Sequence, residues 1–329
     1  MAYPTRTFTA WRRESGMTLI EVMVALAIGS FLIIGAVQIY AQSRQSYIIN
    51  ESIAKVQDTA SFAMDAIESD LRLASNWGRM SRPLGIEGRS VLGDANPNNL
   101  PGIPADCGPE WVLNLALPVD GDNNAYNLPC PPSIAAQANS DHLVVRRATV
   151  APVPFEAGRI QLQTTRVQGA LFTDGTLPTG FTAADSSTHN LLVSSYYVAN
   201  DSELIPGVPA LRRIVLRMNG GVADIIDEEI APGVENLQVQ FGVDVNDDNT
   251  VDRYVNPDSG VYDPASAAYI PGAKVITARV WLVVRGIDIE NGLVDDNTYT
   301  PGDVDLGQPA DNFRRMQVSK TVLLRNARS

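Results

Sequence analysis

Between Met17 and Ser43 the sequence carries one charged side chain, Glu21, in an otherwise apolar run. Few folds can absorb such a run in water. Leu19 to Ala41 spans about 23 residues, enough to cross the hydrocarbon of a bilayer as a single helix. Upstream lie Arg6, Arg12, Arg13 and Glu14, a net charge of +2. An ordinary secretory signal has a shorter apolar core and small residues at a cut site after it; neither is present here. Arginines on one flank predict a cytoplasmic N-terminus and an exported remainder.

A carboxylate in hydrocarbon is tolerable only when paired or protonated, or when it reaches the head groups. Glu21 therefore needs a partner or an interfacial position. The surrounding residues RRESGMTLIEVMVALAI resemble the class III signal of type IV pilins and type II secretion pseudopilins. That resemblance implies a prepilin peptidase cutting after Gly16, N-methylation of the new terminus at Met17, and a conserved-type glutamate at the fifth mature position, Glu21. Most members of the family have Phe where this chain has Met17. The cut would expose an amine one helical turn from Glu21. When subunits stack, the glutamate of one could then face the amine of its neighbour.

From Ile49 the pattern changes. Ile49, Ile53, Val56, Ala60, Ala63, Ile67, Leu71 and Ala74 recur at steps of three and four, one apolar stripe on a helix. Glu51, Lys55, Asp58, Asp65, Glu68 and Arg72 lie off it. The spacing predicts one helix from about Thr18 to Ser75, with Gly78 as a left-handed stop. Its segment 17–43 belongs to membrane or filament core, and 44–76 packs on a globular domain. Gly29 and Gly35 weaken the first half, either as bending points or as places for close helix packing.

The exported domain, 77–329, opens with a stretch at about 77–140 rich in Gly, Pro, Asn and Asp. It holds both cysteines, Cys107 and Cys130, in neither CxxC nor metal-like spacing. In an oxidising compartment they would close a loop and tie the stretch down. Eight β-branched runs follow: HLVVRRATV, RIQLQTTRV, NLLVSSYYVA, LRRIVLRM, VADIIDEEIA, NLQVQFGVDV, KVITARVWLVVRG and MQVSKTVLLRN. Several alternate apolar with polar, as half-buried strands do. The expected class is α+β, a long N-terminal helix packed on a mostly antiparallel sheet domain.

The segments CGPEWVLNLALPVDG, LPCPPS, SDHLVVRRA, GVENLQVQFGVDVNDDNTVDRYV, VWLVVRG and KTVLLRN resemble the PilW family of minor pilins. The resemblance implies a layout related to J-type pseudopilins. It also implies a role in priming a type IV pilus and entering its tip region. The implied partners are the prepilin peptidase, other minor pilins and the major pilin, the inner-membrane assembly platform, and a tip adhesin as a further candidate. The implied location is the inner membrane, single-pass with a periplasmic domain, and then the extracellular pilus. Rivals are a secretion pseudopilin and a membrane-anchored periplasmic enzyme or binding protein.

Asp244, Asn246, Asp248, Thr250 and Asp252 alternate like the first part of a calcium loop. Val255 at position 12 and Asn249 at position 6 depart from an EF-hand, so Ca2+ and a polar β-turn both remain open. Asp120 and Asp122 in VDGDNN are a weaker candidate. His142 and His189 each begin a strand-like run without metal spacing, which points to core or rim histidines. No nucleophile elbow, phosphate loop, dinucleotide fingerprint or HExxH occurs, so catalytic residues are not assigned. A net charge of −12 speaks against nucleic acid as a partner.

Overall fold

A computed structural model of the chain describes residues 16–89, 107–108 and 110–328. The basic segment through Glu14 lies outside them. Helix α1, Leu19–Leu73, is continuous across the boundary between two compact units, which divide after Glu51.

Within the first unit, the helix from Leu19 to Tyr40 is mostly apolar and mostly exposed. Leu19 is 82% exposed and Phe31 75%, so this surface has no partner among the described residues. It is the one helix among the described residues long and apolar enough to cross a membrane. Gly29 and Gly35 lie inside it with open space around them.

In the second unit the predicted stripe is buried from Val56 through Ala60, Ala63, Ile67 and Leu71 to Ala74. Two small residues, Ala60 and Ala63, let the helix approach the sheets closely. The helix ends two residues earlier than expected. Ser75, not Gly78, takes the first left-handed conformation (φ 63°), and its N–H reaches the Arg146 carbonyl at 3.3 Å.

Among the described residues, twelve strands form two sheets. The first contains β1 (Ile86–Glu87), β2 (Val119–Asp122), β3 (His142–Ala148), β4 (Gln161–Thr164), β5 (Gly169–Phe172), β6 (Ser187–Ala199), β7 (Ala210–Asn219) and β8 (Val222–Pro232). Its path is β1-β5-β4-β6-β3-β2, with β7 joining β6 to β8. All pairings are antiparallel except β1 with β5. The second sheet is antiparallel in the order β10-β9-β11-β12, with β9 Val234–Asp244, β10 Arg253–Val255, β11 Lys274–Arg285 and β12 Arg315–Leu323. Each of the eight predicted runs became a strand, so the α+β expectation holds.

Two apolar clusters organise the unit. One gathers the α1 stripe, Leu143, Val145, Tyr196 and Val198 from the first sheet, and Leu237, Val239, Phe241, Ala278, Val280 and Leu282 from the second. The other lies on the opposite face of the first sheet, where Val144, Leu191, Val193 and Tyr197 meet Trp77, Trp111 to Leu113, Leu115 and both cysteines. The described residues of the irregular stretch thus form a lid over a sheet buried on both faces. That explains why HLVVRRA is buried at nearly every position, since alternation marks only sheets with one wet side. A short helix, α2 (Glu110–Leu113), belongs to this lid. Cys107 and Cys130 are joined as a disulfide, 23 positions apart in sequence.

Candidate assembly and processing site

The residues at the start of α1 are placed by a local hydrogen-bond exchange. Gly16, Met17 and Thr18 are non-helical, and the helix begins at Leu19. Thr18 N–H and Thr18 Oγ1 both donate to Glu21 Oε2 at 2.9 Å, and Glu21 N–H donates to Thr18 Oγ1 at 3.4 Å. This is a capping box, with Thr18 as N-cap and Glu21 at the third helical position. The backbone donors at a helix start have no partner in the helix. Here the Glu21 carboxylate turns back to satisfy that end. Its position near the positive end of the helix dipole also suits a negative charge. The bond between Gly16 and Met17 consequently lies outside the helix. The sequence carries this signal as Thr-x-x-Glu.

In the second unit the helix is fastened to both sheets by buried charges. Asp70 Oδ1 accepts from Arg147 Nε at 3.1 Å and Nη2 at 2.8 Å, while Asp70 Oδ2 accepts from Tyr196 Oη at 2.8 Å. Burial and the Asp70 carboxylate raise the Tyr196 phenol above its usual pKa. Glu68, expected on the wet face, is buried. It accepts from Lys320 of β12 and pairs with Arg72 at 2.5 Å. The Lys320 hydrogen bond outweighs burial and holds the Glu68 carboxyl below the ordinary range.

Asp122, His142 and Ser195 stand in line. His142 Nδ1 is 3.0 Å from Asp122 Oδ2, and Nε2 is 2.6 Å from Ser195 Oγ. The connectivity is that of a catalytic triad, but the setting differs. Ser195 is 0% exposed and His142 2%, so no substrate atom reaches the hydroxyl. The relay ties β2, β3 and β6 together behind the disulfide-bearing lid. Burial opposes the charge on Asp122, yet hydrogen bonds from His142 and Asn127 keep its pKa below the ordinary value. His189, on β6, is also buried. Its Nδ1 donates to the Thr149 carbonyl at 2.7 Å and Nε2 lies 2.9 Å from Ser187 Oγ; desolvation lowers its pKa. Both histidines are core groups, as their sequence context suggested. Asp120, the other member of VDGDNN, sits 3.6 Å from the fully buried Arg146, whose Nε and Nη1 donate to the Trp111 and Leu117 carbonyls.

The Asp244–Asp252 loop is held by hydrogen bonds of its own, and its geometry gives the calcium expectation no support. Asp244 is fully buried, and its oxygens accept the N–H groups of Asn246, Asp247 and Asn249. Lys274 Nζ donates to Asp247 Oδ1 at 2.5 Å and to Asn249 Oδ1 at 3.2 Å. Asp248 accepts from Thr250, and Asp252 Oδ2 from Val245 N–H at 2.8 Å. The oxygens are turned onto the loop's own donors and a lysine. Among the described residues no group of three or more His, Cys, Asp or Glu side chains is arranged to hold a metal. Asp247 and Asn249 adopt φ of 62° and 63° in this turn beyond β9.

The described residues thus pair an exposed apolar helix, capped next to Gly16, with a two-sheet domain. Residues 11–37 match the Prokaryotic N-terminal methylation motif, and residues 195–326 match the family described as Type IV Pilus-assembly protein W. Together these mark a type IV pilin-like protein that carries a PilW-type domain over residues 195–326. Among solved structures, a type IV-like pilin from Thermus thermophilus is similar at 13% identity, over 58% of this chain and 80% of that one, with a TM-score of 0.28. A score that low carries no argument. Curated proteins give no sequence match.

Proposed function

We propose that the protein is a minor pilin that primes assembly of a type IV pilus and is built into its tip region, with no turnover chemistry of its own. A prepilin peptidase cuts after Gly16, Met17 becomes the methylated terminus, and Glu21 of one subunit pairs with the terminal amine of the next. The observation that carries this reading is the exposed apolar row of α1 beginning two residues beyond Met17. That row needs a bilayer first and like helices afterwards. The capping box supports it further. A carboxylate engaged with Thr18 enters lipid already hydrogen-bonded, and can exchange that partner for an amine on docking. The expected partners are other minor pilins, the major pilin and the assembly platform. The protein moves from inner membrane to pilus.

The test is a deletion strain complemented with wild type or Glu21→Ala and scored for surface pili. Wild type restores pili and is found at their ends. The Glu21→Ala protein inserts in the membrane and fails to enter filaments. Full piliation of the deletion strain, or normal incorporation of Glu21→Ala, contradicts the proposal. Recovery with a secretion apparatus instead of pili would favour the pseudopilin reading, which shares the same N-terminal signal.

A further inference from the structure

We propose that β12 is an acceptor edge to which a neighbouring pilin-type subunit adds an extended strand. This rests on the pilin reading above and goes beyond it by naming the surface and its mode of recognition. β12 pairs with β11 through nine uninterrupted positions, from Arg285 with Arg315 to Thr277 with Leu323. Two flanking bonds fix which backbone groups face which way: Gly286 N–H to Arg314 O at 2.7 Å and Leu324 N–H to Ile276 O at 2.9 Å. They place Arg315 and Leu323 in non-hydrogen-bonded pairs. By the two-residue period, Met316, Val318, Lys320 and Val322 turn their N–H and C=O to β11. Gln317, Ser319, Thr321 and Leu323 turn theirs outward. These four residues are the exposed ones on the strand. Among the described residues none of their N–H groups donates to a backbone acceptor.

Long edges are usually blunted by bulges, prolines, free charges or a covering segment. β12 has no proline and no register shift, and both its charges are already engaged: Lys320 with Glu68, Arg315 with Glu235 and Asp311. The other long edge, β8, is treated differently. Its Ala223 N–H bonds Gly158 O at 2.8 Å, and its Asp227 and Glu229 take the N–H groups of Ser133 and Glu203. β1, β2 and β10 are two to four residues long. An outward ladder of alternating donors and acceptors is matched only by another extended polypeptide, the β-augmentation mode. Beside it, Thr321 is paired with Arg279, which stacks 3.9 Å over Tyr254 and 5.7 Å from Trp281. Arg, Tyr and Trp are the residues that anchor protein interfaces.

The test uses the full chain in its native membrane, with a photo-crosslinking amino acid at Gln317, alone or combined with Thr321→Pro. Proline at 321 removes an outward N–H and leaves every β11–β12 bond in place. The expected result is an adduct with another pilin-type subunit, reduced at least tenfold by Thr321→Pro while the melting temperature is unchanged. If Thr321→Pro does not fold, Thr321→Lys, an edge charge, is read in the same way. An adduct insensitive to the variant that folds, an adduct only with a second copy of this chain, or no adduct from protein present in sheared filaments overturns the inference. Absence of the unlabelled wild-type protein from filaments overturns the pilin reading itself, and the inference with it.

Discussion

Asp70→Asn probes how the helix is held to the domain. The carboxylate is 5% exposed and accepts two hydrogen bonds from Arg147 and one from Tyr196. Asparagine keeps the volume but removes the charge and presents an amide N–H₂ to one of these donors. Breaking a buried ion pair from one side costs about 3–5 kcal/mol, because the other charge stays behind unpaired. The Arg147 side chain is 19% exposed and can recover some hydration, which brings the expectation to about 2–3 kcal/mol. For a domain of this size each kcal/mol moves the melting temperature by roughly 2–4 °C, so the shift should be roughly 4–12 °C. The assay is thermal unfolding of the detergent-solubilised full chain with its disulfide intact. Asp58→Asn, on the exposed face of the same helix, is the control and should not shift. In Asp70→Asn with Arg147→Met, the stranded cation is gone and much of the loss should return. A shift under about 2 °C, or strict additivity of the two substitutions, would refute the idea that this pair clamps α1 to the first sheet.

Other outcomes follow from the same geometry. Thr18→Val removes the cap and should let the start of α1 fray or slide toward Met17, seen by NMR of the chain in micelles; Thr18→Ser should behave as wild type. Burial pushes the Asp141 carboxyl up to about 7, against the hydrogen bonds from Asn124 and Val239 N–H groups and with help from Asp303 and Asp258. Its folded pKa therefore lies above the unfolded one. Between the two values the native state binds the extra proton, so this residue's contribution to stability improves as pH falls from about 7 toward about 4. The stability difference between wild type and Asp141→Asn, followed by denaturant titration across that range, should shift in favour of wild type as pH falls. Cys107→Ser with Cys130→Ser opens a loop of 23 positions and should cost about 3 kcal/mol in the chain-entropy account, read as a lower denaturation midpoint.

What the sequence made legible was periodicity. The α1 stripe and the eight strand runs were readable because each buries a regularly spaced face. Burial of Glu68 and Asp70 was not readable, since their partners Lys320 and Arg147 lie 252 and 77 positions away. The alternating acids after β9 looked like ligands because a metal loop and a self-bonded turn use the same residues at the same spacing. What the spacing could not show is Lys274 arriving from β11 to bond Asp247 and Asn249. The lid over the first sheet showed only as turn-rich composition, while its purpose came from the apolar face beneath it. Thr18 is legible as half of a Thr-x-x-Glu box, a local pattern independent of any docking role for Glu21.

The account turns on the start of the mature chain. Tandem mass spectrometry of the N-terminal peptide, from protein isolated out of its native membrane, should show a single species beginning at N-methylated Met17. A chain that retains Met1, or one whose first residue lies beyond Ser43, contradicts it.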